Sequence, residues 1–329
     1  MRFFKSFTKD IFSLNPSDFE MRALQLFRYQ AVHNSIYHQY IDHLKINPGK
    51  VNSIADIPFL PIGFFKTHEV KSGSWQAQKV FESSGTTGEE NSKHFVYSLD
   101  HYHQVCLRNF EFFFGAVNNY HVFALLPSYL ERNNASLVFM MQHFIEKSGS
   151  ELSGFYLHDF ETLHHNLKQA RLNQRKVLLL GVTFALLDFA EAYPEDWHDV
   201  IVMDTGGMKG RRKEMVREEV HEILKKQWNL PAVHSEYGMT ELMSQAYATA
   251  DGNLRTPPWM KILTRDLNDP FDLSRRYTGG VNIIDLANVH SCAFIETADI
   301  GRLKEADDTF EVLGRTDNSD IRGCNLMVL

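Results

Sequence analysis

Ser83-Ser84-Gly85-Thr86-Thr87-Gly88 is a run of six small residues, four of them hydroxyl-bearing, that directly follows the short strand-like stretch Val80-Phe81-Glu82. Glycines let a backbone come close to a ligand and turn successive N–H groups into one concavity. The hydroxyls add donors with little bulk. Such a loop after a strand suits the phosphate tail of a nucleotide. It is not a Walker A loop, because Lys93 stands five residues after Gly88 instead of directly behind it.

Outward from this loop, apolar runs alternate with amphipathic ones. Val122 to Leu126, Lys176 to Gly181, Val200 to Met203 and Ala232 to His234 read as strands. Residues 99–115, 134–147, 160–173, 182–192 and 210–227 read as helices between them. Residues 17–45 read as one N-terminal helix, stopped by Asn47-Pro48-Gly49, and 54–65 as an extended connector with Pro58 and Pro61. This alternation predicts an α/β fold with mainly parallel sheet flanked by helices. Ligands of such sheets sit at the carboxyl ends of the strands, and small-residue segments fall there: Asp204-Thr205-Gly206-Gly207 and Ser235-Glu236-Tyr237-Gly238. From about residue 254 the pieces become short and turn-rich, with strands at Met260 to Thr264, Val281 to Asp285, Ala293 to Glu296 and Phe310 to Leu313. The expected organisation is an α/β core over 1–253, a small β-rich subdomain over 254–316 and a short tail over 317–329.

Composition narrows the function. The 329 residues carry a net charge of −7 with no basic stripe, which argues against a nucleic-acid binder. The longest apolar stretch, Val177 to Ala190, contains Thr183 and Asp188 and is too short to span a bilayer. The N-terminus lacks the pattern of a signal peptide. Cys106, Cys292 and Cys324 show neither zinc spacing nor a disulfide framework, which fits a reducing, cytoplasmic setting. Thr183 and His234 read as satisfied core groups, and Phe110 to Phe114 as helix core.

Three further segments lie at strand ends: Tyr237-Gly238-Met239-Thr240-Glu241, read as opening a helical stretch; Thr297-Ala298-Asp299-Ile300-Gly301-Arg302; and Gly314-Arg315-Thr316-Asp317. With the loop at 83–88 they resemble, in order and rough spacing, the motifs of the adenylate-forming enzymes over about residues 80–323. That superfamily includes acyl- and aryl-CoA ligases, luciferases and peptide-synthetase adenylation domains. The resemblance implies ATP-dependent activation of a carboxylic acid. It implies ATP contacts from Ser83, Ser84, Gly85, Thr86, Thr87, Gly88, Gly206, Gly207, Tyr237, Gly238, Thr240, Asp299 and Arg315. Within that set Tyr237 would lie against adenine, Thr240 would touch the α-phosphate, and Asp299 would accept the ribose hydroxyls. Glu241 would be the Mg²⁺ ligand, since Mg²⁺ prefers oxygen and shares carboxylates with substrate phosphates.

Most members continue past the Gly-Arg-x-Asp hinge into a further mobile domain, whereas here fourteen residues follow Arg315. In this and in Arg322-Gly323-Cys324-Asn325 the chain resembles the LuxE-type acyl-protein synthetases. That branch implies a fatty-acid substrate and transfer of the acyl group from the adenylate to Cys324, with Thr240 and Glu241 serving the activation. An acyl-accepting partner, a fatty-acid reductase or a carrier protein, would then receive it. A thiolate is the competent nucleophile, and Arg322 beside it favours that form. The alternatives are an acyl- or aryl-CoA ligase-like enzyme using coenzyme A or a carrier protein, and a non-catalytic nucleotide- or acyl-binding protein.

Overall fold

The computed structural model describes residues 2–83, 90–127, 134–206, 215–250, 252–273, 277–304 and 308–316. In chain order the helices are α1 (Arg2–Thr8), α2 (Phe19–His33), α3 (Ser35–His43), α4 (Phe64–Thr67), α5 (Leu99–Phe114), α6 (Ser136–Ser148), α7 (Phe160–Ala170), α8 (Thr183–Ala192) and α9 (Arg217–Trp228). The strands are β1 (Leu60–Pro61), β2 (Lys79–Glu82), β3 (Lys93–Val96), β4 (Tyr120–Leu125), β5 (Gly154–Tyr156), β6 (Lys176–Gly181), β7 (Val200–Asp204), β8 (His234–Tyr237), β9 (Ala246–Ala248), β10 (Met260–Arg265), β11 (Thr278–Asp285), β12 (Phe294–Lys304) and β13 (Thr309–Arg315). The chain divides into two compact units: one built from 1–75 with 258–329, the other from 76–257.

The unit 76–257 holds a six-stranded sheet in the order β5-β4-β6-β7-β8-β9, with β5 to β8 parallel and β9 antiparallel at the edge. Every residue of β4 and all but the first of β6 are buried. That is the near-continuous apolar pattern of strands covered on both faces, and each fully buried Leu or Val contributes roughly 1.5–3 kcal/mol. Helices close their ends locally. The Ser98 hydroxyl accepts the His101 N–H at 3.2 Å to start α5, and the Asp159 carboxylate accepts the Thr162 N–H at 3.0 Å to start α7. The chain order reverses between β4 and β6, which opens a crevice at the carboxyl edge of such sheets. The strands β2 and β3 form a separate antiparallel hairpin. Of the Phe110 to Phe114 stretch only Phe110 is core: it packs its ring on Phe114, Tyr120, Phe144 and Tyr247, whereas Phe112 faces solvent and Glu111, Phe113 and Phe114 are half-buried.

The other unit is built on β1-β12-β11-β10, with β13 on the far part of β12. β1 is parallel to β12; the other pairs are antiparallel. Helices α2 and α3 pack together beside this sheet's strand end at Cys292 to Phe294, where the buried Gln30 amide bonds the Asn288, Val289 and Ser291 carbonyls.

Some expected elements differ. Residues 17–45 are two helices, because Asn34 leaves helical geometry (φ −100°, ψ 108°) to cap α3 through the Tyr37 N–H and to bond the Ser291 carbonyl through Nδ2. The connector at 54–65 contains a 3₁₀ turn at Ile54–Asp56 and the start of α4. Tyr237 to Glu241 does not open a helix. A turn closed by Leu242 N–H on the Met239 carbonyl reverses the chain, and β9 returns antiparallel to β8. Helix α9 begins at Arg217; of the expected span 210–227, residues 210–214 lie outside the described residues and 215–216 are not helical.

Candidate functional site

In the unit 76–257 the carboxyl ends of β6, β7 and β8 carry one polar network. Asp204 ends β7 and is buried. Its Oδ1 accepts the Thr183 hydroxyl at 2.6 Å, from the first residue of α8, and the Gly206 N–H at 3.0 Å. The carboxylate thereby shapes the Thr205-Gly206 turn, in which Gly206 has φ +73°, a conformation that suits glycine. His221 on α9 approaches from behind, Nε2 to Asp204 Oδ2 at 3.8 Å. Next along the edge, the Thr205 hydroxyl donates to Glu236 Oε2. Burial, reinforced by the charge of Asp204, pushes the Glu236 carboxyl up to about 7. The residue as a whole is half-buried and keeps some surface. Gly238 lies close beside it: a Cβ there would stand 2.6 Å from Glu236 Oε1, so the carboxylate end would have to shift.

Thr240 and Glu241 follow in the turn after β8. The Thr240 carbonyl bonds His94 Nδ1 at 2.8 Å, and His94, on β3, is buried. Glu241 is buried as well. Ser83 closes the β2–β3 hairpin: its N–H donates to the Ser92 carbonyl at 3.0 Å and its hydroxyl accepts the Ser92 N–H at 2.9 Å. The other loop candidates Ser84, Gly85, Thr86, Thr87 and Gly88, together with Gly207 and Cys324, lie outside the described residues. Among the described residues no group of three or more His, Cys, Asp or Glu could cage a metal. Glu241 alone fits Mg²⁺ only in the mode in which one carboxylate joins phosphate oxygens.

In the other unit, Asp299 and Arg315 are cross-strand partners on β12 and β13, with Arg315 Nε 3.5 Å from Asp299 Oδ1. Thr316 fastens the end of β13 by bonding the Ala298 carbonyl through its N–H (2.7 Å) and hydroxyl (3.0 Å). The Asp299 N–H donates to the Thr297 hydroxyl, which donates to the Val281 carbonyl. Beneath them lies Arg265, 6% exposed. Its guanidinium donates to Val281 O (2.9 Å), Asn282 Oδ1 (2.8 Å) and Thr297 O (2.7 Å), with Glu296 at 3.5 Å. Burial lowers the Arg265 pKa, against the raising pull of Glu296 and Asp299. Gly279 and Gly280 make room for it: a Cβ on either would strike the Arg265 carbonyl or its guanidinium.

Sequence reasoning named Asp204, Thr205, Tyr237, Thr240, Glu241, Asp299 and Arg315 but missed Glu236, His94, His221 and Arg265 as site-shaping groups. A signal for Glu236 was available, since His234-Ser235-Glu236-Tyr237 is a wholly polar strand within an otherwise apolar sheet. Thr183 is satisfied, as expected. His234 is half-buried, and its Nδ1 has no partner among the described residues. Cys106 and Cys292 are buried thiols outside any disulfide, and burial pushes Cys292 up to about 12, which keeps it protonated and unreactive.

Similar folds occur among solved structures. A 2-hydroxyisobutyryl-CoA ligase in complex with 2-HIB-AMP and CoA aligns over 94% of this chain and 71% of its own, at 11% identity and a TM-score of 0.68. ATP-bound MatB from Rhodopseudomonas palustris aligns over 72% of this chain and 47% of its own, at 14% identity and a TM-score of 0.54. A long-chain-fatty-acid-CoA ligase (FadD1) from Archaeoglobus fulgidus aligns over 72% and 51%, at 15% identity and 0.51. The chain thus spans about half the length of the MatB and FadD1 chains that it matches. No protein-family model and no curated protein matches it. The likeness shows the fold alone, a mixed α/β fold shared with these ligases. No helix among the described residues is long and apolar enough to cross a membrane.

Proposed function

We propose that this chain activates a carboxylic acid with ATP and passes the acyl group to Cys324 and then to a partner protein. The observation that carries the first half is the network at the carboxyl edge. There the ends of β6, β7 and β8 bring Thr183, Asp204, Thr205, Gly206 and Glu236 together beside Tyr237, in the fold that the ATP-bound MatB shares. The fixed turn at Thr205-Gly206 offers a backbone surface against which a planar base can lie, with Tyr237 next to it. Phosphate contact is assigned to Ser83 with the Ser84 to Gly88 loop and to Thr240, and ribose contact to Asp299 and Arg315. Asp299 suits that role because an ionised carboxylate accepts two hydroxyl donors, and its backbone is fixed through Thr297.

In the reaction a carboxylate oxygen of the acid attacks the α-phosphorus, and the bond to pyrophosphate breaks. Glu241 would be the residue to hold Mg²⁺, which when bound would supply positive charge to the activation. His94 holds the Thr240 backbone through its carbonyl, which sets where that residue's donors point. In the second step the Cys324 thiolate attacks the acyl carbon of the mixed anhydride, AMP leaves, and a thioester forms; the thiol proton goes to solvent. Family resemblance carries the cysteine step, the fatty-acid substrate, the reductase or carrier partner and the cytoplasmic setting. Acid-dependent exchange of labelled pyrophosphate into ATP tests activation directly: exchange with at least one acid supports it, and ATP binding without exchange for any acid refutes it. A second reading, transfer to coenzyme A, is favoured by the likeness over 94% of the chain to a ligase bound to CoA; thioester on coenzyme A instead of on the protein would select it.

A further inference from the structure

Two helices hold Asp204 from behind the sheet. Thr183, the first residue of α8, donates its hydroxyl to Oδ1. His221, in the second turn of α9, turns Nε2 toward Oδ2 at 3.8 Å, and both side chains of this pair are buried. Helix α9 is firmly seated. Val220, His221, Leu224 and Trp228 form its buried face. The Trp228 indole N–H donates to the Tyr193 carbonyl just past α8 at 3.0 Å, and its ring packs on Phe189 at 5.6 Å. A packed scaffold therefore presents the imidazole to the carboxylate. The His221 Nε2 is buried and makes no hydrogen bond elsewhere. As a bare acceptor it would set its lone pair against that of the carboxylate, so the favourable tautomer carries the N–H there. The Ser235 hydroxyl, on the strand residue in register with Asp204, is buried and makes no bond to the carboxylate. Among the described residues His221 is the basic side chain within ion-pair distance of Asp204.

The two oxygens of Asp204 do different things. Oδ1 accepts Thr183 and the Gly206 N–H at 3.0 Å, so its direction fixes the left-handed turn at Gly206 (φ +73°). A carboxylate turns about its Cβ–Cγ bond as one rigid plane, and moving one oxygen moves the other. Whatever holds Oδ2 therefore sets where the Gly206 N–H can sit. At 3.8 Å the contact is too long for a full hydrogen bond. It acts through the attraction of the N–H for the carboxylate, which burial strengthens. We infer that His221 is a positioning residue for the nucleotide base: it holds Asp204 through Oδ2, and through Asp204 it sets the Thr205-Gly206 turn on which the base lies. The inference rests on the proposed nucleotide contact of that turn. It goes beyond that reading by making base affinity depend on a side chain of α9 that does not touch the nucleotide. The phosphate contacts assigned to Ser83 and Thr240 lie on other segments and do not depend on it.

Calorimetric titration with ATP and with inorganic tripolyphosphate, which has neither base nor ribose, tests this apart from catalysis. Urea unfolding of each variant is measured alongside. His221→Phe keeps a ring but loses the nitrogen. It should weaken ATP binding about tenfold, the scale of one polar contact, and leave tripolyphosphate within about twofold. His221→Gln sets an amide nitrogen near the position of the imidazole Nε2 and should restore ATP affinity to within about threefold of the parent. His221→Asn sets its amide nitrogen near the position of Nδ1 and should not restore it; it carries the same expectation as Phe if the Phe variant does not fold. A role in folding alone would lower the urea midpoint without separating the two ligands or the two amides. Unchanged ATP affinity, equal losses for both ligands, or a Gln variant no better than Asn overturns the inference. If the parent itself binds ATP no tighter than tripolyphosphate, the nucleotide reading of the turn fails and takes the inference with it. If the variants behave as expected but no acid supports pyrophosphate exchange, the activation reading fails and the positioning role stands.

Discussion

Replacing Arg265 with Met removes the charge that organises the β11–β12 bend while keeping most of the side-chain volume. The guanidinium donates at 2.9, 2.8 and 2.7 Å to Val281 O, Asn282 Oδ1 and Thr297 O. Charged hydrogen bonds contribute roughly 1.5–3 kcal/mol each, so the gross loss is roughly 5–9 kcal/mol. Part of this returns, because an apolar chain carries no desolvation cost. Val281 O also keeps its bond from the Thr297 hydroxyl. The Thr297 carbonyl and Asn282 Oδ1 lose their guanidinium donor, and Glu296, whose pKa burial already raises, loses its cation. Breaking such a buried pair costs about 3–5 kcal/mol net. Equilibrium urea unfolding followed by tryptophan fluorescence, with Trp259 in the same unit, reads it. Arg265→Lys should recover less than half of the loss, since an ammonium cannot span three acceptors held in a planar fan. A loss below about 1 kcal/mol for Arg265→Met would show that these bonds contribute little and that Asp299 is held by something else.

Asp299→Ala should weaken ATP binding at least about tenfold by loss of a charged acceptor; equilibrium dialysis showing unchanged affinity removes Asp299 from the nucleotide site. Glu236 is raised from 4.5 to about 7, so its ionisation penalty is absent below pH 4.5, grows as pH rises, and is complete above 7. Taking half of the nominal value because solvent reaches the residue, Glu236→Gln should gain about 1.5 kcal/mol relative to the parent between pH 5 and pH 8. Unfolding curves at the two pH values check the sign, and a gain that shrinks with pH contradicts the burial argument. His94→Phe keeps the ring but loses the bond to the Thr240 carbonyl. It should lower kcat for pyrophosphate exchange by about tenfold, the worth of one well-placed bond, with less change in KM for ATP; an unchanged kcat would make His94 structural only.

The parallel core was legible because its strands are short apolar runs, Val122 to Leu126 and Lys176 to Gly181, whose character survives without knowing their neighbours. The sites followed, since small and polar residues at the ends of those runs fall on the carboxyl edge by topology alone. What stayed hidden depends on partners distant in sequence. Asn34 breaks a helix because Ser291 waits for its amide, 257 residues away. Arg265 is a buried cation only because Gly279 and Gly280 leave a gap for it. The helical stretch expected to open at Tyr237 to Glu241 is replaced by a turn and β9, whose pairing with β8 outweighs it. Glu236 looked like one more strand-end residue until Thr205 and Tyr247 were seen around it.

Intact-protein mass spectrometry after incubation with ATP, Mg²⁺ and a panel of carboxylic acids tests the central claim most directly. The account predicts a gain of one acyl group, removed by hydroxylamine, mapped to the peptide holding Cys324, and lost in Cys324→Ser while pyrophosphate release persists. No gain and no pyrophosphate with any acid, from protein shown to bind ATP, would contradict it.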